Sequence, residues 1–67
     1  MTIGKKIRKL RRDRDWFQRE LAEKIGVSKG IVAYWEQDKN EPSIFNCIAL
    51  ADIFGVTLDE LCCRGDG

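Results

Sequence analysis

Lys29, Gly30, Ala33 and Tyr34 are the residues of this chain whose types and spacing suit contact with the base edges of a nucleic-acid duplex. They fall in a short segment where Val32 and Trp35 form an apolar stripe. The 3.6-residue helical period then turns Gly30, Ala33, Tyr34 and Gln37 to the opposite side. Lys29, in the first turn, projects to that side as well, and its ammonium can donate to guanine O6 and N7 or else to a phosphate. Ala33 can touch a thymine methyl, and Tyr34 can hydrogen-bond a base edge or a phosphate. Gly30 has two readings that stay open: it tolerates a frayed first turn, or it lets the backbone come close to a ligand. Gln18, Ser28, Gln37, Lys39 and Asn40 flank this set with the donors that phosphate oxygens accept. Gln18 also sits at the start of the preceding helix, where backbone amides favour an anion.

Two elements must hold these groups in place. Residues 18–37 read as two short amphipathic helices meeting at a tight turn. Leu21, Ala22 and Ile25 share one face of the first; Gly26 closes it, Val27 plugs the turn and Ser28 can cap the second, which spans about Lys29 to Gln37. That arrangement is the spacing of a helix-turn-helix, which can present its second helix to a major groove.

On these residues the chain resembles the phage repressor and Cro-like helix-turn-helix family, the XRE type. Gln18, Leu21-Ala22, Gly26-Val27-Ser28, Val32, Trp35-Glu36 and Pro42 fall where that family places such residues, and the likeness extends over almost the whole chain. The resemblance implies an all-α fold: a compact five-helix bundle of the lambda-repressor-like DNA-binding type with a central helix-turn-helix. It implies that the Gln18 side chain clamps the DNA backbone and braces the recognition helix; a solvent-facing Gln that helps cap its own helix is the plainer reading. It also implies an ion pair between Arg11 and Glu36, expected to be semi-buried, and a homodimer on a two-fold operator. Phe17 stands where the family prefers a Ser or Thr cap, Ala33 where a small hydroxyl residue is common, and Asp38 where the family has Gly.

In all, the chain reads as five helices and no strands. The first runs from about Ile3 to Arg14 with Thr2 as cap, and Ile3, Ile7 and Leu10 form its buried stripe. The second covers about Phe17 to Ile25, and Asp15 followed by Gln18 makes a capping box that would start it at Trp16. Trp16 either covers the junction of the first two helices or lies exposed near the DNA backbone. Asp38 takes a left-handed turn position, and Lys39 to Pro42 form a loop. Ser43 caps a fourth helix that runs to Phe54 and stops at Gly55, with Ile44, Ile48, Ala51 and Phe54 on its buried side and Cys47 as a small core hydrophobe beside them. Thr57 and Glu60 form a capping box for a short fifth helix whose apolar face is Leu58 and Leu61. Residues 56–63 could form the dimer end, with Leu58, Leu61 and Cys62, unless those leucines only close the core.

Sixty-seven residues make one small domain, whose single core supplies about 3–5 kcal/mol of net stability. The net charge is +1, but residues 1–14 hold seven Lys/Arg against one Asp, whereas residues 41–67 hold five acids and one Arg. Such asymmetry can give a near-neutral chain one basic face. Lys5, Arg8 and Arg12 could add backbone contacts from that side. There is no histidine, no C-x-x-C pair and no Gly-rich phosphate loop, so no catalytic residue, metal, cofactor or small-molecule substrate is expected. With no long apolar run and no signal-like N-terminus, a cytoplasmic location without membrane contact is expected. Adjacent Cys62 and Cys63 cannot easily bond to each other and are either inert thiols or redox-sensitive ones. Two functions remain in view: a sequence-specific DNA-binding transcriptional regulator, and a protein-interaction module of the same fold such as an antitoxin-like component.

Overall fold

A computed structural model describes residues 1–62. Among these residues five helices form and no strands: α1 (Ile3–Asp13), α2 (Gln18–Ile25), α3 (Lys29–Glu36), α4 (Ile44–Phe54) and α5 (Leu58–Leu61). No helix among them is long and apolar enough to cross a membrane. Each helix is too short to persist alone in water, so caps and packing must hold it. Side-chain oxygens of Thr2, Ser28, Ser43 and Thr57 accept from the amides of Lys5, Ile31, Asn46 and Glu60 at 3.0–3.3 Å. These four N-caps lie where the residue types place them.

The C-terminal ends explain two positions that composition alone leaves obscure. The amide of Asp15 donates to the Arg12 carbonyl and that of Trp16 to the Arg11 carbonyl, closing α1 with a pair of nested bonds around a left-handed residue, Asp15 at φ 58°. The same pattern ends α3, with the amides of Asp38 and Lys39 reaching the carbonyls of Trp35 and Tyr34 around Asp38 at φ 60°. Gly26 and Gly55 hold the equivalent positions after α2 and α4. Aspartate tolerates this region better than most residues because its short side chain bonds locally. Asp15 therefore terminates the first helix and does not cap the second, correcting the capping-box expectation. The second helix starts at Gln18, with Phe17 at the cap position. Phe17 offers no acceptor, but the Glu20 carboxylate reaches back to accept from the Phe17 amide at 3.0 Å.

The core joins Ile7 and Leu10 of α1, Leu21 and Ala22 of α2, Val32 and Trp35 of α3, Cys47, Leu50, Ala51 and Phe54 of α4, and Leu61 of α5. Ile3, Trp16, Ile25, Val27 and Val56 pack at its edge. Helix α4 buries Cys47, Ala51 and Phe54 as expected, but Leu50 takes the core place expected of Ile44 and Ile48. Ile44 is 61% and Ile48 44% exposed, whereas Cys47 and Leu50 are buried beside Ala51 and Phe54. Ile44 to Ala51 contains only one polar side chain, Asn46, so two apolar stripes coexist and tertiary packing chooses between them. Leu61 is fully buried and closes the core, while Leu58 stays partly exposed; the fifth helix therefore does not offer Leu61 to a partner.

Trp16 covers the junction of the first two helices. Its ring stacks on Phe54 with centroids 5.8 Å apart, and the Lys24 ammonium lies 4.7 Å from its centre. Arg14 donates to the carbonyls of Leu10 and Phe54 with its guanidinium 5.0 Å from the Phe54 ring. This cluster fastens the end of α1 to the end of α4.

Helices α1 and α3 meet at Gly4. A Cβ there would lie 2.0 Å from the Trp35 carbonyl oxygen and 2.5 Å from Asp38 Oδ1. The same contact brings the Asp38 carboxylate to the first turn of α1, which has no acid of its own, and a negative charge is favourable at a helix N-terminus. That contact is a physical reason for Asp rather than Gly at position 38.

Gly4→Ala should force the two helices apart and cost about 2 kcal/mol, within the range for overpacked sites, read as a lower midpoint in urea melts. Asp15→Gly should remove left-handed strain and raise stability by ~0.5 kcal/mol after the added unfolded-chain entropy is subtracted. A midpoint lowered by that change would contradict the role given to Asp15.

Candidate nucleic-acid interface

The outer edge of α3 stands clear of the fold. Lys29, Gly30, Tyr34 and Gln37 are exposed, and Ala33 is half-buried. Inward-facing Val32 and Trp35 anchor the opposite edge in the core. Lys39 and Asn40 follow in the exposed turn, and the Lys39 ammonium lies 5.4 Å from the Tyr34 ring centre. One exposed apolar side chain on this helix, Ile31, falls outside the expected set. Its position three residues before Tyr34 puts it at the margin of the outer face, a signal that the two-residue Val32–Trp35 stripe is too narrow to resolve.

The opposite margin is held by charge. Glu36 is a buried acid, with 3% of its side chain exposed. Arg11 Nε donates to its Oε2 at 2.7 Å, Arg11 Nη2 to Oε1 at 3.0 Å, and the Gln18 amide nitrogen to Oε1 at 3.1 Å. Arg11 Nη1 donates in turn to the Trp16 carbonyl at 2.6 Å. One carboxylate thus gathers α1, the turn after it, the start of α2 and the end of α3. Two parallel bonds from a planar guanidinium fix orientation as well as distance. Among the described residues, no buried side-chain polar atom lacks a partner.

Gln18 spends one amide hydrogen on Glu36 and keeps a second. The Ser28 hydroxyl accepts from the Ile31 amide, which leaves its own proton to donate elsewhere. Between the starts of α2 and α3 lies an open depression of about 460 Å³ lined by Arg11, Phe17, Gln18, Arg19 and Lys29. With Arg11 already matched by Glu36, the Arg19 and Lys29 charges and the Gln18 amide around one concavity suit an anionic oxygen. Arg19 was not among the sequence candidates, and only the tertiary approach of α2 to α3 adds it. No group of three or more potential metal ligands occurs among the described residues.

Comparison with known proteins gives a consistent picture. The helix-turn-helix family model matches residues 7–61. The chain is 33% identical over 61 residues to the HTH-type transcriptional activator BcrR of Enterococcus faecalis, covering 91% of this chain and 30% of that protein. It is 33% identical, again over 61 residues and 91% of this chain, to the immunity repressor protein of Bacillus phage phi105, of which it covers 42%. The chain thus spans less than half the length of these relatives. Among solved structures, the P22 c2 repressor in complex with synthetic operator 9T superposes with a TM-score of 0.86 at 30% identity, covering 91% of this chain and 92% of that one. The solution structure of the P22 c2 DNA-binding domain gives a TM-score of 0.85, also at 30% identity, covering 91% of this chain and 80% of that one.

Arg11→Ala should strand the Glu36 charge in a nearly dry site and cost about 3–5 kcal/mol, the range for breaking a buried pair. Urea melts measure it; a loss below ~1 kcal/mol would place the pair with exposed ones.

Proposed function

This chain belongs to the helix-turn-helix family, and we propose that it is a sequence-specific DNA-binding transcriptional regulator of the repressor or Cro-like type. The observation that carries this reading is the free outer edge of α3, held at a set angle by the buried Glu36 cluster. In this reading α3 enters the major groove of an operator, and the start of α2 lies across the phosphate backbone. Lys29 donates to guanine or to a phosphate, Tyr34 to a base edge or phosphate, and Ala33 lies against a thymine methyl, with Gly30 permitting close approach. Gln18, Ser28, Gln37, Lys39 and Asn40 grip the backbone.

The domain reading is a single unit in which residues 18–37 form the helix-turn-helix. The chain acts in the cytoplasm on double-stranded DNA and works without a cofactor or enzymatic step. One copy offers too few base contacts for tight specificity, so two copies bind half-sites about 34 Å apart. With Leu61 buried, the dimer end between residues 56 and 63 rests on Leu58 and its neighbours. Residue 63 lies outside the described residues.

Selection of bound duplexes from a random pool tests the proposal. A palindromic site should emerge; enrichment of none would favour the partner-binding module of the same fold, to which the exposed Ile44 and Phe45 of α4 would then belong. Lys29→Ala and Tyr34→Ala should change base preference at defined positions if those side chains read bases, and weaken binding uniformly if they hold phosphates. Lys39→Ala should reduce the slope of log K against log salt by about 0.9, the value for one phosphate contact. An unchanged slope would remove Lys39 from the interface.

A further inference from the structure

Arg19 and Lys29 belong to different helices yet line the same depression. Arg19 is the second residue of α2 and Lys29 the first of α3, and both are exposed. Arg11, Phe17 and Gln18 complete the lining, which contains no acid. Among the described residues the ion pairs join Lys9 to Asp13 and Arg11 to Glu36, so neither Arg19 nor Lys29 is matched by a carboxylate. Glu20, beside Arg19 in the chain, turns its carboxylate to the Phe17 amide. The helical period places Lys29 more finely than exposure does. Glu36 lies seven residues beyond it, so the two share one stripe of α3, about 20° apart at 3.6 residues per turn. That stripe faces the start of α2, where the Gln18 amide reaches Glu36. Tyr34, five residues beyond Lys29, lies about 140° around the helix. Lys29 and Tyr34 therefore stand on opposite shoulders of the exposed surface of α3, with Lys29 on the α2 side.

Taking the chain as an operator-binding regulator, we propose that Arg19 and Lys29 hold one and the same phosphate of the DNA backbone. Lys29 is then a backbone residue, and base readout falls to Ala33 and Tyr34, with Gly30 between them. Two unmatched cations around one concavity repel each other; a phosphodiester between them removes that repulsion and gains both attractions. The Arg19 guanidinium offers a planar pair of N–H donors to two phosphate oxygens, and the Lys29 ammonium adds a point charge. Gln18 adds the amide hydrogen that Glu36 does not take. Arg11 does not serve as a third cation, because Glu36 and the Trp16 carbonyl already occupy its guanidinium. The depression is open, so the phosphate can arrive as part of a continuous strand. A phosphate contact fixes register and orientation but carries no sequence information. The residue that opens α3 therefore sets where the helix sits in the groove, and the opposite shoulder sets what it reads.

The test uses the palindromic duplex obtained by selection, with each phosphate of one half-site replaced in turn by a neutral methylphosphonate. The unaltered protein should lose affinity roughly tenfold at one particular phosphate, the loss expected for a charge-assisted hydrogen bond. Arg19→Ala and Lys29→Ala should each bind the unmodified duplex less well and show a smaller loss at that same phosphate; the double variant should show none. Both variants should select the same sequence as the unaltered protein. The double variant should lower the slope of log K against log salt by about 0.9, the value for one phosphate, rather than by the ~1.8 of two. Both side chains are exposed, so the melting midpoints of the free variants should stay unchanged and show that they fold. A changed base preference in Lys29→Ala, or different phosphates falling silent in the two variants, would overturn the proposal and leave the regulator reading in place. Displacement of the duplex by inorganic phosphate at matched ionic strength, with a flat methylphosphonate scan, would mark a site for the free ion and overturn it too. Failure of the unaltered protein to bind any duplex would remove both.

Discussion

The buried carboxylate of Glu36 is the interaction on which the rest of the interface depends. It lies at the end of α3 and accepts from two nitrogens of Arg11 and from the Gln18 amide. A charge in so dry a place is costly unless every lone pair is met, so the carboxylate fixes its partners as firmly as they fix it. Arg11 passes the constraint on to the Trp16 carbonyl and so to the turn before α2. The roll of α3 about its own axis is set at one margin by this cluster and along its back by Val32 and Trp35. The free edge carrying Lys29 and Tyr34 follows from those two restraints. Gln18, at the start of α2, braces α3 through its bond to Glu36, so the placement of the two helices is mechanically linked.

Short helices make their ends as important as their faces. Two glycines and two aspartates stop four of the five helices with the same left-handed turn. Asp38 does this while placing its carboxylate at the start of α1, and Gly4 allows the backbone of α3 to approach there. The N-terminus of α1 is thus tied to the C-terminus of α3, and the C-terminus of α1 to that of α4 through Arg14, Trp16 and Phe54. With both ends of α1 secured, a 67-residue chain can hold its recognition helix without a larger core. Lys5, Lys6, Arg8 and Arg12 of α1 remain outside these ties and keep the near-neutral molecule electrically lopsided.

What was legible in the sequence was local. The residue types Thr2, Ser28, Ser43 and Thr57 announced their caps because a cap is a contact across three residues. Gly26 and Gly55 announced their turns, and Val32 and Trp35 announced an inner edge of α3, because these follow from backbone geometry and helical period. The pairing of Arg11 with Glu36 came from family likeness, since no spacing rule joins residues so far apart in the chain. The tertiary structure alone decided what depends on several elements meeting. It gave Asp15 to the end of α1, where the chain's departure angle settles between two plausible caps. It buried Leu50 and left Ile44 and Ile48 outside, because an almost wholly apolar helix has no period to declare its inner face. It brought Arg19 beside Lys29 and set Gly4 against Trp35. Each of these joins residues that the chain's order keeps apart, and only simultaneous packing of the helices brings them within contact.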